Sequence, residues 1–118
     1  MGKRVKFLNT YVDALTMKET LEKIQEYIDN KKCVQHVVIN AGKINLMQEN
    51  EELTKIINEC PLINADGQSI VWGSKFLGNP LPERVAGIDI FTELVNISAE
   101  KGYKPYFLEL KKRLLLKL

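Results

Sequence analysis

Val34-Gln35-His36-Val37-Val38-Ile39-Asn40-Ala41-Gly42 is the stretch on which the architecture turns. Val34 to Ile39 is a mostly apolar run of the length expected for a strand buried on both faces, and Asn40-Ala41-Gly42 ends it in a turn. Such a strand needs a layer of helices on each side. Upstream, Thr16 with Glu19 three residues later forms a capping box, and Met17, Leu21, Ile24 and Ile28 recur at helical spacing, so an amphipathic helix should run to about Asn30. Downstream, Lys43 to Met47 can begin a helix. Asn50 can cap a second one, with Glu51 and Glu52 in its first turn and Leu53, Ile56 and Ile57 facing inward, before Pro61.

Further out the pattern repeats. Leu62-Ile63-Asn64 reads as a short strand, Asp66-Gly67 as a turn, and Ser69 to Leu77 as a helix terminated by Gly78-Asn79-Pro80. An irregular stretch from Leu81 to Gly87 precedes a helix from about Ile88 to Lys101, with Ile90, Phe91, Leu94 and Ile97 on its inner side and Gly102 as its stop. Tyr103 to Leu108 again has the look of a strand, and Val5 to Leu8 with Tyr11-Val12 suits a small hairpin about Asn9-Thr10. Strands and helices in alternation predict a three-layer α/β domain with a mainly parallel sheet. In such sheets ligands bind outside the carboxyl ends of the strands, where Asn40-Ala41-Gly42 and Asn64-Ala65-Asp66-Gly67 would meet.

Composition narrows the function classes. The chain has 118 residues, 45% of them apolar and 27% charged, as expected for one globular domain. A formal charge of +2 gives no reason to expect nucleic acid as a partner. From Lys101 onward six basic residues face one acidic residue, Glu109, so the basicity is concentrated in the tail. No apolar run approaches the roughly 20 residues that span a bilayer, and Met1 to Thr10 lacks the pattern of a secretory signal. These features predict a cytoplasmic protein, peripheral at most. Cys33 and Cys60 have neither CxxC spacing nor a histidine cluster beside them and read as buried free thiols. His36 is the one histidine; it lies in the apolar strand and reads as structural, so no metal centre is expected.

Three places could carry chemistry. Asp66, placed between a strand and a helix beside Gly67, could deprotonate a sugar hydroxyl or bind a ribose; it could equally form an Asx-turn or cap the next helix. Arg84, in Leu81-Pro82-Glu83-Arg84-Val85-Ala86-Gly87, could clamp a diphosphate and stabilise a leaving nucleoside diphosphate, or simply pair with Glu83. Asn40 could bind a sugar or base through its amide, or satisfy its own backbone. Neither GxGxxG nor GxxxxGK[ST] occurs, which disfavours a dehydrogenase or a P-loop kinase.

Four blocks in order resemble the WecG/TagA/CpsF glycosyltransferase family: Val12 to Thr20, Ile39-Asn40-Ala41-Gly42-Lys43-Ile44, Asn64 to Trp72, and Leu81 to Asp89. The distinctive ones are Asp-Gly-x-x-x-Val-Trp and Leu-Pro-Glu-Arg-Val-x-Gly-x-Asp. The resemblance implies a Rossmann-like domain, incomplete at the C-terminus, with residues 1–108 as the N-terminal part of the catalytic domain. It implies inverting transfer of N-acetylmannosamine or a related hexose from a UDP-sugar to a polyprenyl-diphosphate-linked N-acetylglucosamine acceptor, with no cofactor or metal. On the family pattern Asp66 is the general base, and Asn40, Gly67, Gln68 and Arg84 are substrate-binding. Val38 departs from it, because relatives often carry a hydroxyl residue two positions before this asparagine. Peripheral contact at the inner face of a bacterial membrane and a homo-oligomer are both compatible with that assignment.

The resemblance in motifs runs from about Val5 to Leu108, and the Leu-rich basic stretch over residues 109–118 departs from it, which predicts a truncated or frameshifted product or a fragment. Rival expectations are therefore an active transferase, an inactive fragment, and a binding module that docks through its tail. If helical, Leu110, Leu114 and Leu118 would form a stripe bordered by Lys111, Lys112, Arg113 and Lys117, better suited to packing on a core or partner than to holding a membrane.

Overall fold

The computed structural model describes residues 3–106. Two pairs of strands organise it: β1 (Lys3–Phe7) and β2 (Thr10–Ala14) form an antiparallel hairpin, whereas β3 (His36–Ile39) and β4 (Leu62–Ala65) pair in parallel, His36 opposite Leu62 and Ile39 opposite Ala65. The helices are α1 (Met17–Asp29), α2 (Ala41–Glu49), α3 (Glu51–Asn58), α4 (Gln68–Phe76) and α5 (Gly87–Lys101). This is a mixed α/β fold with a small parallel sheet, compatible with an incomplete Rossmann-like domain.

Every residue of β4 is buried, as its run of apolar side chains requires, and Ile39, Ile63, Ile44, Met47, Ile57 and Ile70 meet in the core around it. Phe7 and Val12 bring the hairpin into the same cluster. The local signals work as their chemistry dictates. Thr16 Oγ1 accepts from the Glu19 amide at 3.2 Å and Glu19 Oε1 accepts from the Thr16 amide at 3.0 Å. The same Thr16 amide holds the Glu19 carboxyl below its ordinary value.

Two polar devices bind the pieces together. Arg4 lies against Asp13 with Nε at 2.9 Å and Nη2 at 3.0 Å from its two oxygens, and also donates to the carbonyls of Cys60 and Pro61. Asp13 Oδ2 accepts the Ile63 amide at 2.8 Å, so the hairpin is clipped to the side of β4 that faces away from β3. In the other device Asn64, fully buried, donates through Nδ2 to Thr20 Oγ1 at 3.0 Å, which turns its Oδ1 toward His36 Nε2 at 2.7 Å. The structural role expected of His36 is this donation, since Oδ1 can only accept.

Several expectations are corrected. Residues 103–106 form no strand, and Phe107 and Leu108 lie outside the described residues, as does the whole tail from Glu109. Tyr103 instead folds back, its amide donating to Ser98 O and its hydroxyl to Asp29 at 2.7 Å. Cys60 is buried, but Cys33 is exposed in the turn after α1. On α5 only Ile90 is buried; Leu94 and Ile97 are partly so and Phe91 is half exposed, because the helix lies against the sheet through its first turns. Trp72 and Phe76, on the apolar-rich α4, are also exposed.

Asp13→Ala should destabilise the fold by about 2–3 kcal/mol, since it leaves the Ile63 amide in the core without its acceptor and removes the Arg4 ion pair; urea unfolding measures it. Burial lowers the His36 pKa from its ordinary 6.5, outweighing its hydrogen bond to Asn64. The unfolded chain then takes up a proton that the native one refuses, so this contribution is whole above pH 6.5 and is lost as pH falls from there toward the lowered native value. His36→Gln should remove that part of the pH slope in unfolding experiments, leaving the acid loss due to Glu19 at lower pH.

Candidate functional site

The carboxyl ends of β3 and β4 are stitched by the Asp66 amide, which donates to Ile39 O at 2.8 Å. That bond extends the parallel ladder one step past Ala65 and sets Asp66 at the rim of the sheet, beside Asn40 at the end of β3. Gly67 follows with φ 148°, a conformation side-chain-bearing residues rarely adopt, and lets the chain turn directly into α4. Gln68 is the exposed first residue of that helix.

The loop carrying Arg84 reaches the same rim by a different route. Ser74 Oγ accepts the Leu81 amide at 3.0 Å, Asn79 Nδ2 donates to Lys6 O, and the Val85 amide donates to Ala65 O at 2.9 Å. Leu81, Val85 and Ala86 are buried, which leaves Arg84 on the outer side of an anchored loop. Glu83 Oε1 accepts the Met17 amide at 3.1 Å and so joins the loop to the start of α1.

These anchors bring Arg84 Nε to 3.5 Å from Asp66 Oδ1, while Asp66 Oδ2 accepts the Gly87 amide at 3.3 Å at the start of α5. The side chains of Asp66 and Arg84 keep 36% and 50% of their exposure, so both can meet a solute. The bland alternatives separate accordingly. Glu83 is not Arg84's partner, and Asp66 does not cap α4, whose N-cap is Gly67 without a side-chain bond. Asn40 does cap its own helix: Oδ1 accepts the Lys43 amide at 2.8 Å, and the residue is exposed. Its amide nitrogen is the part a ligand would use.

A cleft of about 690 Å³ opens beside this pair, between the first turns of α1 and α5, with Lys18, Leu21, Glu83, Arg84, Asp89 and Thr92 in its walls. Asp66 is not among its lining residues; Arg84 is the link between cleft and carboxylate. A smaller hollow of about 220 Å³ lies on the other flank, between α2 and α4, lined by Ala41, Asn45 and Ser69 among others. Sequence reasoning gave no role to the Gly87 amide or to the cleft residues of α1 and α5, although Gly87, Asp89 and Lys18 lie within the motif blocks, because a contact such as Gly87 to Asp66 joins residues of two separate blocks. Among the described residues no three His, Cys, Asp or Glu side chains gather as a metal site, and no helix is long and apolar enough to cross a membrane.

A solvent-reaching carboxylate with a guanidinium and a backbone amide at its oxygens can accept a proton from a hydroxyl and place a cation near an anionic group. Two curated relatives, each an N-acetylglucosaminyldiphosphoundecaprenol N-acetyl-beta-D-mannosaminyltransferase, come from Staphylococcus aureus strains NCTC 8325 / PS 47 and COL. Each is 26% identical to the chain over 107 residues, covering 89% of this chain and 42% of the relative. The chain thus spans 42% of the length of the curated relatives it matches. Residues 5–117 match the description "Glycosyl transferase WecG/TagA/CpsF family", a match that runs past Leu108 into the basic tail. With that match over nearly its whole length, the chain belongs to the WecG/TagA/CpsF glycosyl transferase family.

Proposed function

We propose that the chain serves an inverting glycosyl transfer in which Asp66 is the general base. The donor is a UDP-linked N-acetylmannosamine or a related hexose, and the acceptor is N-acetylglucosamine on a polyprenyl diphosphate. The observation that carries this reading is the meeting of Asp66 and Arg84, far apart in sequence, at 3.5 Å on the rim of the parallel strands. Inversion requires a base on the face of the sugar opposite the leaving group and a positive partner for the departing diphosphate.

In this scheme the acceptor hydroxyl gives its proton to an Asp66 oxygen as its oxygen bonds to the anomeric carbon, and the bond to the UDP oxygen breaks. Arg84, held by Nε, has two further nitrogens with which to meet phosphate oxygens. The Gly87 amide steadies the carboxylate. Asn40, Gly67 and Gln68 are the further substrate-binding positions. The same lipid-linked acceptor would bring the chain to the inner face of the bacterial membrane as a peripheral protein.

Transfer from UDP-N-acetylmannosamine to a short-chain prenyl-diphosphate N-acetylglucosamine tests this directly. Asp66→Asn keeps an acceptor for the Gly87 amide, so the fold should survive while turnover drops roughly 10²-fold or more, the scale for losing a general base; unchanged turnover removes Asp66 from the role. Arg84→Ala should weaken UDP binding along with the rate, and calorimetry showing undiminished UDP affinity in that variant would count against the clamp.

A further inference from the structure

The rim that carries Asp66 has two flanks of different chemistry. The cleft at Arg84 has charged walls, with Lys18, Asp89 and Glu93 among them. The hollow of about 220 Å³ between α2 and α4 has no charged residue in its lining. The buried core residues Phe7, Ile44 and Ile70 line it together with Leu8, and its polar residues are the uncharged Asn45 and Ser69. That volume is below the roughly 300 Å³ at which pockets enclose a whole drug-sized ligand, so it suits a segment of an apolar chain.

One end of the hollow lies at the rim. Ala41, in its lining, is two residues beyond Ile39, whose carbonyl takes the Asp66 amide, and Ser69 is three beyond Asp66. Consecutive Cα atoms are about 3.8 Å apart, which places Ser69 within roughly 11 Å of Asp66. The other end is the tip of the hairpin, at Phe7 and Leu8. Two features along this path are not explained by folding. Leu8 holds φ 51°, where a turn ordinarily places glycine or asparagine, and its side chain is 50% exposed. On α4, Trp72 and Phe76 lie three and seven positions after Ser69, on the same side of the helix, and are 65% and 92% exposed. Apolar surface thus continues from the hollow along α4, as interaction surfaces do.

We propose that the hollow between α2 and α4 takes the part of the acceptor's prenyl chain nearest its diphosphate. The inference rests on the proposed transfer, whose two substrates differ in the group beyond the diphosphate: the donor carries a nucleoside, the acceptor a hydrocarbon. The uncharged hollow matches the hydrocarbon, and the charged cleft at Arg84 does not, because laying apolar chain over ions strips their hydration. An acceptor so placed has its sugar at Asp66, its diphosphate at the rim and its first isoprene units in the hollow. The rest of the chain passes over Leu8, Trp72 and Phe76. The donor is left the flank where Arg84 stands.

The test uses the full chain and three soluble probes with one headgroup, N-acetylglucosamine diphosphate carrying an ethyl, a geranyl or a farnesyl chain. Leu8→Asn suits the left-handed turn and removes the apolar side chain, whereas Leu8→Met keeps one; thermal unfolding checks that both variants fold. In the wild type the geranyl probe should bind roughly tenfold or more tighter than the ethyl probe, the scale of a few buried methylenes. Leu8→Asn should cut that gain to about threefold or less while the ethyl probe and UDP stay within about twofold of wild type, and Leu8→Met should restore it. A wild-type chain that binds the ethyl probe and UDP but gains nothing from geranyl or farnesyl would overturn this inference and leave the proposed function standing. An undiminished gain in folded Leu8→Asn, or an equal loss for UDP, would overturn it too. If that undiminished gain came with lost binding to phosphatidylcholine vesicles free of acceptor, the patch would be a bilayer contact instead. A wild-type chain that binds neither UDP nor any probe would overturn the proposed function itself, and this inference with it.

Discussion

The Asp66 amide, bonded to Ile39 O at the last step of the parallel ladder, is the contact on which the site depends. It exists because two apolar segments separated by two helices, β3 and β4, pair in register and bury their side chains in a common core. Everything beyond that step hangs from it. Gly67 can turn only because the chain leaves β4 at this point, and Asp66 stands clear of the core because the residue before it is the last one buried in the strand. A slip of one residue in this pairing would send the carboxylate to the other face of the sheet.

The hairpin and the Arg84 loop occupy the remaining edge of β4 in different ways. Asp13 takes the Ile63 amide near the beginning of the strand, and the Val85 amide takes Ala65 O at its end. Backbone groups that an adjacent strand would satisfy are thus satisfied by a carboxylate and a loop. The consequence is functional: a loop held as an edge partner has little freedom, so Arg84 is presented at a defined place rather than on a wandering segment. Glu83, drawn off to the Met17 amide, leaves Arg84 to Asp66.

Burial and charge are distributed unevenly around this rim. The interior is mainly apolar, with Asn64 the buried polar residue that joins β4 to α1 through Thr20 and to β3 through His36. Outside, a cleft of about 690 Å³ with both acidic and basic walls opens at Arg84. Polar groups with internal partners hold the scaffold, whereas the side chains of Asp66 and Arg84 keep solvent access. That division is expected of a site built on a rigid frame.

Much of this was legible in the sequence. The capping box at Thr16, the helix stop at Gly102, the hairpin about Asn9 and the two apolar strands are local signals, and each produced its element. The motif blocks singled out Asp66, Gly67 and Arg84 because their residue types are distinctive at that spacing. The strand expected from Tyr103 did not form over residues 103–106, where Tyr103 finds partners in Ser98 and Asp29. Nor could periodicity show that Phe91, Trp72 and Phe76 would face outward, since it reports an apolar stripe without saying what lies opposite. The sequence by itself determined the elements, their order and the candidate residues, all of which depend on neighbours a few positions apart. Tertiary structure alone decided that Arg84 meets Asp66 rather than Glu83, that Gly87 supplies an amide to that carboxylate, and that the Val85 amide takes Ala65 O. Those outcomes follow from which strand edges are left open once β3 and β4 pair, a property of the assembled sheet that no local stretch of sequence encodes.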